Sequence, residues 1–312
     1  MAVCARRPEW LKLSALEPAI LNKTTKLARD LKLHTVCESA RCPNRTECFS
    51  QGTATFMILG NVCTRNCTFC AVKHGNPKAP DLQEADHVVQ AVDRLSLGYV
   101  VVTSVTRDDL PDGGAYQFAQ TIRAIREYDS AIAVEVLVPD FQGAASALQT
   151  VIDASPAVLN HNIETVQRLY SEVRPQAEYQ RSLEVLRQAK LLDSSLLTKS
   201  GLMLGLGESR EDVVEVMADL RQAGCDLLTI GQYLQPSLGH HRLIRYVHPE
   251  EFEELRIAGE KSGFVSVVAG PLVRSSFHAA GMYISASRKA KQKRSRSAQD
   301  KGTDLAGSLK GN

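Results

Sequence analysis

The stretch YVVVTSVTRDDLPDGGAYQFAQTIRAIREYDSAIAVEVLV, residues 99–138, decides the fold. It opens on a short apolar run (99–104), passes through a polar turn ending in Gly113-Gly114, becomes amphipathic over 115–127 and closes on IAVEVLV (132–138). Two β-branched runs separated by a helical repeat read as a βαβ unit, and so long a crossover requires parallel strands. Neither run alternates apolar with polar residues. That pattern predicts a sheet covered on both faces.

Working outward, the unit recurs. Further strand-like runs stand at TFMIL (55–59), AVLNHN (157–162), LLTKSGLML (196–204), DLLTIG (226–231) and FVSVV (264–268). Amphipathic stretches at 84–97, 144–153, 179–192, 209–223 and 249–261 lie between or after them. Ser209-Arg210-Glu211-Asp212 reads as a capping box, and Pro249 before Glu250 and Glu251 suits a first helical turn. The pattern predicts an α/β fold, a partial (β/α)6-type barrel with N-terminal and C-terminal extensions; a doubly wound open sheet is the alternative. Residues 1–54 form the N-terminal extension, with a helical pattern over 18–31; 55–270 form the barrel, 271–287 an irregular C-terminal segment, and 288–312 a basic tail expected to be disordered.

Bulk composition is ordinary: 312 residues, 44% hydrophobic and 23% charged, enough to bury a core and inconsistent with wholesale disorder. No apolar run approaches the roughly 18 residues that cross a bilayer. Arg6 and Arg7 come early, but no apolar stretch of a secretory signal follows them. A cytoplasmic enzyme with no membrane partner is the expectation. The net charge of +2 hides an asymmetry, since residues 288–301 hold seven Lys/Arg against one Asp, +6, leaving −4 elsewhere. Such a tail either touches nucleic acid or an acidic protein or is a solvated end. It interleaves no stacking aromatics, so a nucleic-acid partner is not expected.

Six of the eight cysteines fall between Cys37 and Cys70. A reducing cytosol argues against disulfides and for metal. They form two triplets, Cys37-x4-Cys42-x5-Cys48 before the barrel and Cys63-x3-Cys67-x2-Cys70 directly after its first strand, on the face where β/α folds place their chemistry. A structural zinc site wants two close pairs, and only Cys67/Cys70 is one. Three thiolates on one short loop suit a 4Fe–4S cluster with one iron open to a substrate or cofactor, with zinc the weaker alternative. Cys4 and Cys225 match neither triplet, and Cys225 reads as a core thiol. His161, His241 and His278 read as polar contacts rather than ligands. Asp108, Asp109 and Asp112 read equally well as a polar turn or as functional groups.

The second triplet, with Phe69 before its last cysteine, resembles the signature of the radical S-adenosylmethionine superfamily. With the first triplet upstream, the chain resembles lipoyl synthases over nearly all of residues 5–285. Further matching motifs are RRPEWLK (6–12), TSVTRDDLPDGGA (103–115), NHNIETV (160–166), TKSGLMLGLGE (198–208), LTIGQYLQPS (228–237) and GPLVRSSFHA (270–279).

The resemblance implies two 4Fe–4S clusters and S-adenosylmethionine. One cluster would lie on Cys63, Cys67 and Cys70 and open S-adenosylmethionine to a radical; the other, on Cys37, Cys42, Cys48 and Ser276, would give up sulfur. Serine oxygen is a harder and weaker ligand than thiolate, which suits a cluster meant to be dismantled. Phe277 stands where the family usually has Tyr, which removes a hydroxyl but no ligand. Thr103, Ser104, Asn162 and Glu164 are implied contacts to the methionyl amine and ribose, Arg174 and Lys199 to the methionyl carboxylate, and Gly205 and Gly207 let backbone approach the adenine. The implied reaction inserts sulfur at C6 and C8 of a protein-bound octanoyl-lysine. The implied partners are octanoylated lipoyl carrier domains (2-oxoacid dehydrogenase E2 subunits and the glycine cleavage H protein) and an electron donor such as ferredoxin or flavodoxin. Rival readings are a two-cluster enzyme resembling tRNA methylthiotransferases and a zinc-stabilised binding module.

Overall fold

Valine-rich runs buried on both sides build one eight-stranded sheet. The structure is a computed structural model and describes residues 7–11, 26–27, 29–35, 44 and 53–289. Its strands are β1 (His34–Thr35), β2 (Thr53–Ile58), the short β3 (Val62–Cys63) and β4 (Lys73–His74), β5 (Tyr99–Ser104), β6 (Ala133–Leu137), β7 (Val158–Asn160), β8 (Leu197–Leu204), β9 (Leu227–Gln232) and β10 (Ser266–Gly270). The sheet runs β1-β2-β5-β6-β7-β8-β9-β10, and β3 pairs only with β4. β1 is antiparallel to β2, and every other neighbouring pair is parallel. β1 and β10 do not pair, so the barrel is open.

All seven expected strands and all six expected helices form. The helices are α1 (Glu84–Arg94), α2 (Ala115–Tyr128), α3 (Ala145–Asp153), the one-turn α4 (Tyr170–Val173), α5 (Tyr179–Leu192), α6 (Arg210–Gln222) and α7 (Pro249–Lys261). α6 carries the expected capping box, Ser209 with Asp212, and α7 starts on Pro249 behind His248 as N-cap. Two outer cores result. Val100, Val102, Val134 and Val136 bury against Phe118, Ile122 and Val151. Leu202, Leu228 and Ile230 bury against Val216, Leu220 and Phe252. Burying one such side chain contributes about 1.5–3 kcal/mol.

The C-terminal segment departs from expectation. Residues 279–289 are helical (α8), not irregular. Ala279 packs on Tyr99 and Val101, and Met282 and Ala286 on Val158 and Leu227, so α8 fills the concave side near the N-terminal strand ends. Residues 288 and 289 close this helix; the rest of the expected disordered tail, the helical pattern of 18–25, and Cys37, Cys42 and Cys48 lie outside the described residues. No helix among the described residues is long and apolar enough to cross a membrane.

Candidate functional site

The second cysteine triplet sits on a loop that closes on itself. β3 and β4 pair Val62 with Lys73 and Cys63 with His74, and the Gly75 amide donates to the Cys63 carbonyl at 2.9 Å. The preceding turn uses two left-handed residues, Leu59 (φ 67°) and Gly60 (φ 87°). Left-handed backbone is costly for leucine. Glu84 accepts the Leu59 amide at 2.8 Å and Arg107 donates to the Leu59 carbonyl at 3.3 Å, holding it in place. The amides of Arg65 and Thr106 donate to Cys63 Sγ at 3.4 and 3.3 Å and fix where the sulfur points.

Four other loops grip this one. The Arg65 guanidinium reaches Asp108 (Nε–Oδ2 2.6 Å) and Asp140 (Nη2–Oδ1 2.6 Å). The Thr68 amide donates to the Val173 carbonyl at 3.0 Å, and the Asn66 amide to Gln176 Oε1 at 2.7 Å. The segment after β9 folds over the far side: the His241 amide donates to the Thr68 carbonyl at 2.8 Å, and His240 Nε2 meets the Cys70 carbonyl at 3.1 Å. Burial pushes the Cys70 thiol up to about 12. Burial also raises Cys67, opposed by the Arg174 guanidinium beside it.

Beside the cysteines lies a ring of polar groups at the C-terminal strand ends. Arg174 follows α4; its Nη1 donates to the carbonyls of Asn162 (3.1 Å) and Ile163 (3.3 Å) and to the Tyr170 hydroxyl (2.8 Å). Asn162 Nδ2 donates to Glu164 Oε1 at 3.0 Å. Glu164 adopts φ 66°, and its amide and carbonyl bond to Gly201 and Met203, continuing β8 pairing past a kink. Burial raises its carboxyl, against the pull of Arg174. Among the described residues, Ser104 Oγ, Asn162 Oδ1 and Arg174 Nε are buried without a hydrogen-bond partner. Buried polar atoms are nearly always paired, so three orphans beside one cysteine loop call for a ligand.

Across the mouth runs the segment after β10. The Leu272 carbonyl accepts from Asn44 Nδ2 at 2.6 Å, which ties this segment to the sequence between Cys42 and Cys48. Ser276 is partly exposed and accepts the Ala279 amide on its carbonyl at 3.4 Å; Phe277 packs edge-on against His278, centroids 4.0 Å apart.

Known proteins share both the sequence and the fold. Residues 57–231 match the Radical SAM superfamily. A lipoyl synthase of Caldanaerobacter subterraneus subsp. tengcongensis is 56% identical over 88% of this chain and 96% of that protein; one of Rubrobacter xylanophilus is 57% identical over 88% and 85%. The chain belongs to the lipoyl synthase family. Solved structures of the hydrogenase maturase HydG (TM-score 0.57, 14% identity, 88% of this chain and 61% of that one) and of methylornithine synthase PylB (0.52, 13%, 78% and 81%) share its fold. Near full-length identity to lipoyl synthases disfavours the methylthiotransferase and zinc-module readings.

Of the residues that the family resemblance implies, Cys63, Cys67, Cys70, Ser104, Asn162, Glu164 and Arg174 come to one mouth. Thr103 lies beside them, its hydroxyl donating to the Leu137 carbonyl at 2.9 Å. Lys199 is elsewhere: its Nζ pairs with Glu135 Oε1 at 2.8 Å inside the barrel, both side chains almost wholly buried. Glu135 also accepts from Tyr99 (2.7 Å) and Asn160 (3.2 Å), so the Lys199 charge is already met. Gly205 does not open onto adenine either, because a Cβ there would stand 2.3 Å from Gln232 Nε2 and 2.6 Å from the Arg245 carbonyl, the chain's own loop. The three aspartates are structural. Asp108 holds Arg65, Asp109 holds Arg107 (2.8 Å), and Asp112 accepts the amides of Gly114 and Tyr116. His161 and His241 meet backbone carbonyls, of Val138 (2.8 Å) and Leu206 (3.1 Å). Sequence reading missed Arg65, Asp140 and Asn44. Arg65 and Asn44 lie within the triplets, a usable signal; Asp140 carried none.

Proposed function

We propose that this chain inserts two sulfur atoms, at C6 and C8 of an octanoyl-lysine on a lipoyl carrier domain, with S-adenosylmethionine held beside a cluster on Cys63, Cys67 and Cys70 and sulfur drawn from a second cluster on Cys37, Cys42, Cys48 and Ser276. When bound, these groups supply the radical that removes hydrogen from unactivated carbon and the sulfur that replaces it. The chain's own residues position and shield. Amides of Arg65 and Thr106 hold the Cys63 thiolate. Arg174 offers Nε to the methionyl carboxylate while its Nη1 fixes the 162–163 backbone, and Asn162, Ser104 and Glu164 offer an amide oxygen, a hydroxyl and a carboxylate to the amine and ribose. Lys199 is left out of this set. The concave side below is filled by α8 and the Glu135–Lys199 pair, which keeps water from a radical.

The observation that carries this reading is the meeting, in one mouth, of the three-cysteine loop with the orphaned atoms of Ser104, Asn162 and Arg174. Family identity supports the chemistry. The partners we propose are octanoylated E2 subunits of 2-oxoacid dehydrogenases and the glycine cleavage H protein, with a ferredoxin or flavodoxin as electron donor, in the cytoplasm.

The test is mass spectrometry of an octanoyl-lysine peptide after anaerobic incubation with reconstituted enzyme, reductant and S-adenosylmethionine. Addition of two sulfurs is expected. Cys67→Ala should abolish S-adenosylmethionine cleavage, and Cys42→Ala should cleave it yet form no lipoyl group. Lipoyl formation by Cys42→Ala would overturn the sulfur-donor assignment.

A further inference from the structure

The chain leaves β2 through a residue whose backbone and side chain make opposite demands. Leu59 stands at φ 67°, a left-handed conformation that leucine rarely adopts and that glycine takes at little cost. Its side chain is 2% exposed and belongs to the outer core that α2 covers. Its Cδ1 lies 2.2 Å and its Cγ 3.4 Å from the place a Cβ on Gly114 would take, so the leucine fills the space this glycine leaves. Gly114, itself left-handed at φ 89°, is the N-cap of α2 and ends the loop that follows β5. That loop touches the cysteine loop again on both sides of Cys63. Arg107, paired with both Asp109 oxygens at 2.8 Å, donates to the Leu59 carbonyl at 3.3 Å. The Thr64 amide donates to the Thr106 carbonyl at 3.0 Å, and the Thr106 amide to Cys63 Sγ at 3.3 Å. Strained backbone persists only where its surroundings over-determine it, and it clusters at functional sites.

This inference rests on the proposed cluster at Cys63, Cys67 and Cys70. We infer that Leu59 is a positioning residue: its side chain, keyed into the space over Gly114, fixes the direction in which the chain leaves β2 and so sets Cys63 against Cys67 and Cys70 before any iron arrives. Glycine at 59 meets the backbone requirement at lower cost but carries no key, and leaves the turn free to swing. Alanine keeps the strain and loses the key. Methionine is close to leucine in bulk and can refill the space. Three sulfurs held in advance bind a cluster in one geometry; a loosened loop binds it in several, which broadens its spectrum.

The experiment uses the full chain with Cys37, Cys42 and Cys48 replaced by Ala, so that any cluster formed on anaerobic reconstitution lies on the second triplet. The electron paramagnetic resonance spectrum of the reduced cluster is recorded for this parent and for Leu59→Gly, Leu59→Ala and Leu59→Met. Val100→Ala, near the start of β5, serves as a cavity in the same core away from the loop. Leu59→Gly and Leu59→Ala should give broadened, shifted spectra at unchanged iron content, and Leu59→Met and Val100→Ala the parent spectrum. In cluster-free protein, hydrogen exchange at the Thr64 and Gly75 amides, bonded to the Thr106 and Cys63 carbonyls, should accelerate about tenfold in the Gly and Ala variants alone, with β8 unaffected. Parent spectra and exchange in Leu59→Gly would show that the turn needs only left-handed backbone, overturning the positioning role and leaving the cluster reading intact. The same disturbance from Val100→Ala would reduce the effect to core stability and overturn it likewise. A parent chain that takes up no iron would overturn the cluster reading and the inference with it. Should Leu59→Gly fail to fold, Leu59→Ala against Leu59→Met decides, and equal spectra in the two overturn the role.

Discussion

Asp140 holds Arg65 in a buried pair, Oδ1 to Nη2 2.6 Å, with side chains 0% and 5% exposed. The pair joins the cysteine loop to the loop after β6, and Asp108 completes the clamp on the other edge of the guanidinium. Burial opposes the Asp140 carboxylate, but the Arg65 hydrogen bonds and charge prevail and hold its pKa down at about 2. A folded-state pKa below the ordinary value near 4 stabilises the fold above that value, and the stabilisation fades as pH falls toward 2. Cluster-free protein should lose about 2 kcal/mol of stability from this group between pH 4 and 2. Asp140→Asn should remove that slope in urea titrations. At pH 7 the same variant leaves Arg65 half-paired and should release iron from the second triplet faster, read by chelator competition. Unchanged iron loss would mean that the clamp does not hold the loop.

The interior pair of Glu135 and Lys199 should behave as a unit. Removing one member leaves the other buried and charged, and such losses cost about 3–5 kcal/mol. Glu135→Gln and Lys199→Met should each destabilise by that order, while the double variant should lose less than the sum, because neither charge remains. Calorimetric binding of S-adenosylmethionine to the double variant should match wild type. Loss of binding there would restore Lys199 to the ligand-holding set.

His161 should stay neutral through the working pH range. Burial drives its imidazole down to about 4, and neutrality makes Nδ1 the donor to the Val138 carbonyl. A depressed histidine pKa contributes stability that is complete above about 6.5 and is lost as pH falls through about 4. Its ring proton shifts in magnetic resonance should therefore show no titration between pH 6 and 8. A midpoint near 6.5 would place the ring in contact with water.

The sheet and its helices were readable from sequence because each is long, periodic and buried in a regular way. α8 was not read, although Ala279, Met282, Tyr283 and Ala286 stand at helical spacing; its small residues sit next to a basic run that reads as tail. β1 spans two residues and leaves no pattern. At the site, the cysteines were readable because their spacing encodes one cluster in one loop. Partners joined only by folding were not. Arg65 meets acids on two other loops, and Lys199 finds Glu135, 64 positions earlier, on a strand two places away in the sheet. A lysine in an apolar strand announces a buried charge, but not whose charge answers it.

Arg174 is the residue on which the ligand reading turns, and it serves two tasks at once. Nη1 braces the carbonyls of Asn162 and Ile163 while Nε, buried and without a hydrogen-bond partner among the described residues, is left for an incoming group. Lysine keeps the charge but not the fork, so it can brace or reach, not both. Arg174→Lys should weaken S-adenosylmethionine binding by about 10- to 100-fold, the range expected for losing a charge-assisted hydrogen bond. Arg174→Gln should weaken it further, since no cation is left for the carboxylate. Iron bound at Cys63, Cys67 and Cys70 should be retained in both, because the loop that carries them is held by Arg65, Thr68 and Asn66 and Cys63 Sγ by the Arg65 and Thr106 amides, none of which depends on Arg174. Anaerobic calorimetry with S-adenosylmethionine and parallel iron assays separate the two effects. Affinity at the wild-type level in Arg174→Gln would remove Arg174 from the ligand site and leave it as a brace of the 162–163 turn.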